Sequence, residues 1–352
     1  MPNFQMLPGL TAILLVGTTA AMQPPAVDSG LPATSPASRS IVSAPSRAEL
    51  LVDEAIQKLR ALKSVSADLL MEVEMLEQSF RLRGSYLRAE GNRVLLDLRL
   101  EGLPEAVGSM RQVCDGQTLW DIQQVLDGFY YGKTDVARVL EKLNQPGLEP
   151  EIRDRFMVEL GFAGPETLLV SLRKSIGFDT VLEVELNGRP AYLVRGVWRD
   201  RAALTGGDPN LLPPVGPLPP YVPSVVNLWL DRDSGWPLKL DMEGKLPSLL
   251  EATENPATLD VATGKNRRLP AKRPNFKPSR LVLNYLNIQV NLDIDPNRFA
   301  YQVPANERNR VEDRTEFYLT SIDQVIQAQA GLRKFQEQQR QADTREGSTP
   351  PP

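Results

Sequence analysis

The chain has 352 residues, 41% of them apolar and 24% charged, enough for one large or two ordinary domains with a buried core. Its net charge of −4 leaves no basic excess to neutralise phosphates, which speaks against nucleic-acid binding. It has no histidine and one cysteine, Cys114. That excludes Ser-His-Asp and Cys-His nucleophile pairs, His-bearing metal sites, Cys-based zinc sites and an intrachain disulfide.

Residues 1–21 read as an export signal. Met6–Val16 is a short apolar core, and Thr19-Ala20-Ala21 offers small residues for cleavage after Ala21. The apolar run is short for a membrane span. Residues 22–46, rich in Pro, Ala and Ser, read as a disordered linker.

Ordered structure is expected from Arg47. Arg47–Leu62 has Ser46 as N-cap, Glu49 three residues on, and an apolar stripe at helical spacing. Three long strands follow, each alternating apolar and polar residues. Val65–Leu76 places Leu69, Met71 and Val73 on one face. Gln78–Glu90 places Phe80, Leu82 and Tyr86 there, and Arg93–Leu100 adds Leu96 and Leu98. This is the pattern of an antiparallel sheet with one apolar and one wet face. Arg88 is in phase with Phe80, Leu82 and Tyr86. Either the strand frays before it, or it stands at the rim of an apolar cavity, because a buried arginine is costly unless paired.

Arg111–Gln124 reads as a hairpin turning at Asp115-Gly116, with Cys114 as a small buried residue on its first strand. Phe129-Tyr130-Tyr131 follows. Asp135–Leu143, Glu149–Leu160 and Glu166–Ser175 read as helices, with Pro150 and Pro165 at helix starts. Such a group could plug or lid an open sheet.

Strands resume at Phe178–Leu186 and Ala191–Trp198, joined by Asn187-Gly188. A second hairpin pairs Val225–Asp231 with Pro237–Met242 through Asp233-Ser234-Gly235. Asp200–Pro223 reads as a stiff proline-rich surface loop or a polyproline ligand. Leu246–Lys277, basic in its latter part, reads as a solvated loop or a contact for anionic headgroups. Arg280–Leu292 is the last long strand and Arg298–Val303 a short one. Thr315–Gln341 is a helix, and residues 343–352 are a tail.

Three local strings carry a family resemblance: Cys114–Trp120 (CDGQTLW), Asn227–Leu240 (NLWLDRDSGWPLKL) and Asp295–Asp313 (DPNRFAYQVPANERNRVED). In this order and spacing they resemble the LolA/LolB-like lipoprotein carriers, with residues 47–313 as the matching domain and 314–342 as an additional helix. The resemblance implies an α+β fold, in which a strongly curved antiparallel sheet forms an incomplete barrel with helices over its concave face. It also implies a periplasmic, monomeric protein. Its partners would be lipoprotein acyl chains or lipid, with no cofactor. The concave residues would be Leu69, Met71, Val73, Phe80, Leu82, Tyr86, Leu96 and Leu98, and Arg88 would be the residue associated with lid closure. An envelope sensor or adaptor that binds protein partners is the alternative use of the same scaffold. Enzyme chemistry has only two carboxylate pairs to draw on, Asp231 with Asp233 and Glu312 with Asp313. Both sit in expected turns, where acidic residues serve local hydrogen bonding.

Overall fold

A computed structural model describes residues 44–75, 78–103, 107–145, 148, 152–153, 156–157, 160, 164–199, 218–245 and 277–346, with side chains to residue 331. The expected signal, most of the expected linker, residues 200–217 and 246–276 of the two long loops, and residues 347–352 lie outside them. So does most of the expected helix Glu149–Leu160, although the backbone at 152–153 and 156–157 is helical.

Helix α1 spans Arg47–Arg60. Its start is the expected one. Ser46 Oγ accepts from Glu49 N, and Glu49 accepts in return from Ser46 N, both at 3.1 Å. Six antiparallel strands follow: β1 Val65–Met75, β2 Gln78–Ala89, β3 Arg93–Glu101, β4 Gly108–Asp115, β5 Thr118–Val125 and β6 Gly128–Asp135. Next come, among the described residues, helices α2 Val136–Leu143 and α3 Pro165–Ser175. Strands β7 Ile176–Leu186, β8 Arg189–Trp198, β9 Val225–Asp231, β10 Pro237–Glu243 and β11 Arg280–Val290 complete the meander. The short strand β12, Val311–Asp313, leads into α4, Thr315–Glu346.

The twelve strands among the described residues form one sheet in the order β12-β6-β5-β4-β3-β2-β1-β11-β10-β9-β8-β7. Only the β12–β6 pair is parallel. The two end strands do not pair, so the barrel is incomplete. Register shifts in the pairs β1–β11, β7–β8 and β9–β10 help the strands bend. Six strand spacings, about 29 Å, separate β2 from β7 along the sheet. Helix α1 is only about 21 Å long, yet it is tied near both. Ser46 Oγ donates to Phe178 O on β7 at 2.5 Å, and Arg88 on β2 donates to the carbonyl of Leu59 at 2.7 Å. The sheet therefore curls around the helix.

The inward face of this curve and the helices form one apolar core. It joins Leu69, Val73, Phe80, Leu96 and Leu98 from the strands to Val139, Leu169 and Ile322 from the helices. The alternation read from the sequence thus becomes an α+β half-barrel with helices over its inward face. Cys114 is completely buried in that core. Burial pushes its thiol up to about 12. The folded protein is expected to resist alkylation at pH 8 by several hundred-fold relative to the urea-unfolded chain, since the thiolate is the nucleophile. A timed thiol-labelling series checks this. The same shift makes stability fall as pH rises from about 9 toward 12, because only the unfolded chain can ionise there.

Four sequence expectations need correction. The hairpin at Asp115-Gly116 has positive φ only at Gly116. Asp115 instead caps the turn, its Oδ1 accepting from Gln117 N and Thr118 N, both at 2.8 Å. Phe129-Tyr130-Tyr131 belongs to a full strand, β6, to which the sequence reading assigned no element. Arg298–Val303 is not a strand. Asp295 accepts from Asn297 N at 2.9 Å and starts a 3₁₀ turn at Pro296–Phe299. The segment then lies against the outward face, where Tyr301 and Val303 pack with Trp120, Ile122 and Tyr131. Finally, β2 does not fray before Arg88, which pairs with both Val65 and Val94.

Candidate functional site

Arg88 projects inward at the end of β2, beneath the end of α1. A cationic side chain on an apolar face needs several acceptors, and it finds three. Its Nη2 donates to Leu59 O at 2.7 Å and Leu62 O at 3.0 Å, and its Nη1 donates to Glu166 Oε2 at 3.3 Å. Leu59 belongs to the last turn of α1, and its carbonyl also accepts from Leu62 N at 3.3 Å, while Leu62 lies just past the C-cap Ala61.

Glu166 lies in the first turn of α3, where the helix dipole favours negative charge. It also accepts from Arg60 Nε at 2.8 Å. At the other end of α3, Arg173 pairs with Asp53 at 2.9 Å and Glu49 at 3.2 Å. Helices α1 and α3 are therefore antiparallel and ion-paired at both ends. Glu49 additionally accepts from Arg199. Close packing backs these pairs. A Cβ on Gly164 would collide with the Tyr86 hydroxyl, and burial pushes the Tyr86 phenol up to about 12.

A cleft of about 830 Å³ opens at this junction, between the end of α1, the β2–β3 hairpin and α3. Its size is that of ordinary small-molecule sites. Leu62, Tyr86, Val94, Met157 and Val170 supply apolar wall. Arg60, Lys63, Arg88 and Arg153 bring positive charge to it, against Glu90 and Glu166.

The eight candidate concave residues divide by their surroundings. Leu69, Val73, Phe80, Tyr86, Leu96 and Leu98 are buried, and Met71 and Leu82 are half-buried. Of these, only Tyr86 lines the cleft, together with Arg88. The others lie deeper or toward the far end of β1–β3, where Met71, Met75, Leu100 and Met110 form a half-buried apolar band. The inward face turns polar across β4 and β5. Gln112 is buried with its Oε1 unpartnered. Asp121, whose carboxyl is pushed up by burial and held back by Arg314, lies 3.2 Å from that guanidinium.

The sequence reading missed Glu166, Lys63 and Arg153 as site residues, because each reads locally as an ordinary exposed charge. The signal for Glu166 is an acid at a predicted helix start, suited to pair the in-phase Arg88. The carboxylate pairs do not form a site. Asp231 Oδ1 accepts from Ser234 N at 2.8 Å and Ser234 Oγ at 2.7 Å within a turn. Asp313 accepts from Thr315 N at 2.9 Å, and hydrogen bonding from Thr315 holds its carboxyl below the usual range. Among the described residues no cluster of metal-ligating side chains is present, and no helix is long and apolar enough to cross a membrane.

No protein-family model matches the chain, and no curated protein sequence is significantly similar to it. Among solved structures it is similar to the MucA/MucB complex of Pseudomonas aeruginosa at 12% identity and a TM-score of 0.32, over 72% of this chain and 61% of that one. It is similar to the Mycobacterium tuberculosis lipoprotein LppX at 9% identity and 0.33, over 70% and 97%. It is also similar to a LolA superfamily protein of Nitrosomonas europaea at 11% identity and 0.25, over 72% and 97%. The chain thus spans less than two thirds of the MucA/MucB chain it matches. Likenesses at these identities and scores say nothing about function. The half-barrel stands on the strand order and packing described above.

Proposed function

We propose that this protein binds the acyl chains of lipoproteins or lipids along the inward face of its half-barrel. The role would be sheltering them in the periplasm on the way to the outer membrane. The observation that carries this reading is the cleft, a mouth of about 830 Å³ whose wall includes Tyr86 and Val94. These two residues begin an apolar face that continues through Leu96 and Leu98. Each methylene moved from water onto such a face contributes about 0.8 kcal/mol, so an acyl chain binds without dedicated polar contacts. The deeper part of the face is packed by helices, so ligand entry requires α3 to swing away. Arg88 and Glu166 form the latch that this motion breaks.

Titration of the delipidated protein with an environment-sensitive fluorescent acyl probe tests the reading. Saturable binding is expected, and Val170→Asp, on the half-buried lid side of the cleft, is expected to weaken it at least tenfold while the melting temperature stays within a few degrees. A folded wild type that does not bind the probe would sink the carrier reading. The alternative, an envelope adaptor that binds a protein partner, is favoured by a different feature. Val107, Leu126, Phe129 and Tyr130 are exposed together at one end of β4–β6, and Leu126 has a φ of 54°.

A further inference from the structure

We infer that the ligand of the cleft carries an anionic headgroup, a phosphate or a carboxylate, which the cleft mouth selects over neutral and zwitterionic amphiphiles. This inference rests on the acyl-chain reading and adds the chemistry of the polar end.

The chain as a whole carries a net charge of −4, yet the cleft has the opposite sign. Among the described residues Arg60, Lys63, Arg88 and Arg153 line it with only Glu90 and Glu166 as acids, an excess of two positive charges. These cations are not equivalent. Arg60 and Arg88 are both held by Glu166, at 2.8 and 3.3 Å. Lys63 and Arg153 make no ion pair among the described residues, and both are exposed at the mouth. The backbone of Lys63 is fixed all the same, its N–H donating to Asn291 Oδ1 at 3.1 Å. One pair of cations thus serves the latch, and the other has no carboxylate partner among the described residues and can meet a ligand.

The positions suit an amphiphile. The apolar wall lies inside, on Tyr86, Val94 and Met157, and the uncommitted charges lie outside it. A concave, partly apolar wall concentrates the field of such charges at its opening. An acyl chain seated on the wall would leave its head between Lys63 and Arg153. A guanidinium there can grip a phosphate or carboxylate with two parallel hydrogen bonds, and an ammonium can add a point charge.

The test uses the delipidated full chain and four fluorescent probes. A dansyl-labelled fatty acid is compared with its methyl ester, and a nitrobenzoxadiazole-labelled lysophosphatidic acid with the matching lysophosphatidylcholine. Two exposed charges acting together are expected to favour the anionic member of each pair about tenfold at low salt. The preference should shrink in 0.5 M NaCl. In the double variant Lys63→Ser/Arg153→Ser the ratio within each pair should fall to about one. That ratio is read inside one protein, so a general loss of folded protein does not imitate the effect. A preference in the fatty-acid pair alone points to free carboxylates, one in the lysolipid pair alone to phospholipids, and either supports the inference. Equal binding within both pairs would overturn it and leave the acyl-chain reading standing. Absence of binding by all four probes would overturn both.

Discussion

Arg88→Ala is expected to lower the free energy of unfolding by about 3 kcal/mol, the cost of removing a charged donor from two helix-end carbonyls and a carboxylate. The side chain is 19% exposed, so little water is available to replace it. Arg88→Lys should recover only part of the loss, because an ammonium cannot present a planar fork to Leu59 O, Leu62 O and Glu166 together. Glu166→Gln should cost less than Arg88→Ala, since Arg88 keeps both carbonyls. Urea unfolding followed by circular dichroism orders the three variants. A midpoint for Arg88→Ala within 0.2 M of wild type would mean that the three hydrogen bonds do not hold the lid. A functional consequence follows if they do. Arg88→Ala should load and release an acyl probe faster than wild type, because opening α3 no longer breaks the latch.

The second large effect is at Gly84. It lies mid-strand in β2, paired with Leu69 on β1 and Leu98 on β3. Its φ is not positive, so conformational freedom is not the reason for glycine here. Space is the reason. A Cβ at this position would overlap the carbonyl of Asp97 and press on Leu98 Cα at 3.0 Å. Both are backbone of the neighbouring strand and cannot swing aside as a side chain could. Gly84→Val is therefore expected to cost more than about 4 kcal/mol, in the range where a marginally stable domain no longer folds. Gly84→Ala should be soluble but clearly destabilised. A Gly84→Ala melting curve superimposable on wild type would show that β2 and β3 do not approach so closely.

Much of the half-barrel was legible because its signals are local. Alternation in Val65–Met75, Gln78–Ala89 and Arg93–Glu101 marked three strands and the inward face of each. The capping box at Ser46 and Glu49 marked the start of α1. Asn187-Gly188, both residues at positive φ, joined β7 to β8 as a two-residue hairpin. These patterns depend on a period of two or of 3.6 and on turn chemistry, which neighbouring residues specify.

The failures involve partners distant in sequence. Arg298–Val303 has the composition of a strand, but Asp295 turns the chain before it. The aromatic Tyr301 then finds Trp120 across the sheet, ring centroids 5.8 Å apart. Strand β12 exists only because Val311–Asp313 meets the edge of β6, and three residues carry no periodicity to read. Arg88 broke its pattern in plain view, yet its acceptors lie 29, 26 and 78 residues away.

What the sequence by itself determined is the long strands and capped helices, which face of each is apolar, and what chemistry is absent. A chain without histidine and with one cysteine has few reactive options in any fold. Tertiary structure alone decided how far the helices cover the apolar face, where the cover ends in a cleft, and which cations there have no carboxylate among the described residues. The physical reason is that periodicity records a demand for burial and not the means of meeting it. The covering element, and the gap it leaves, depend on how the twelve strands curl and on which distant groups satisfy one buried guanidinium.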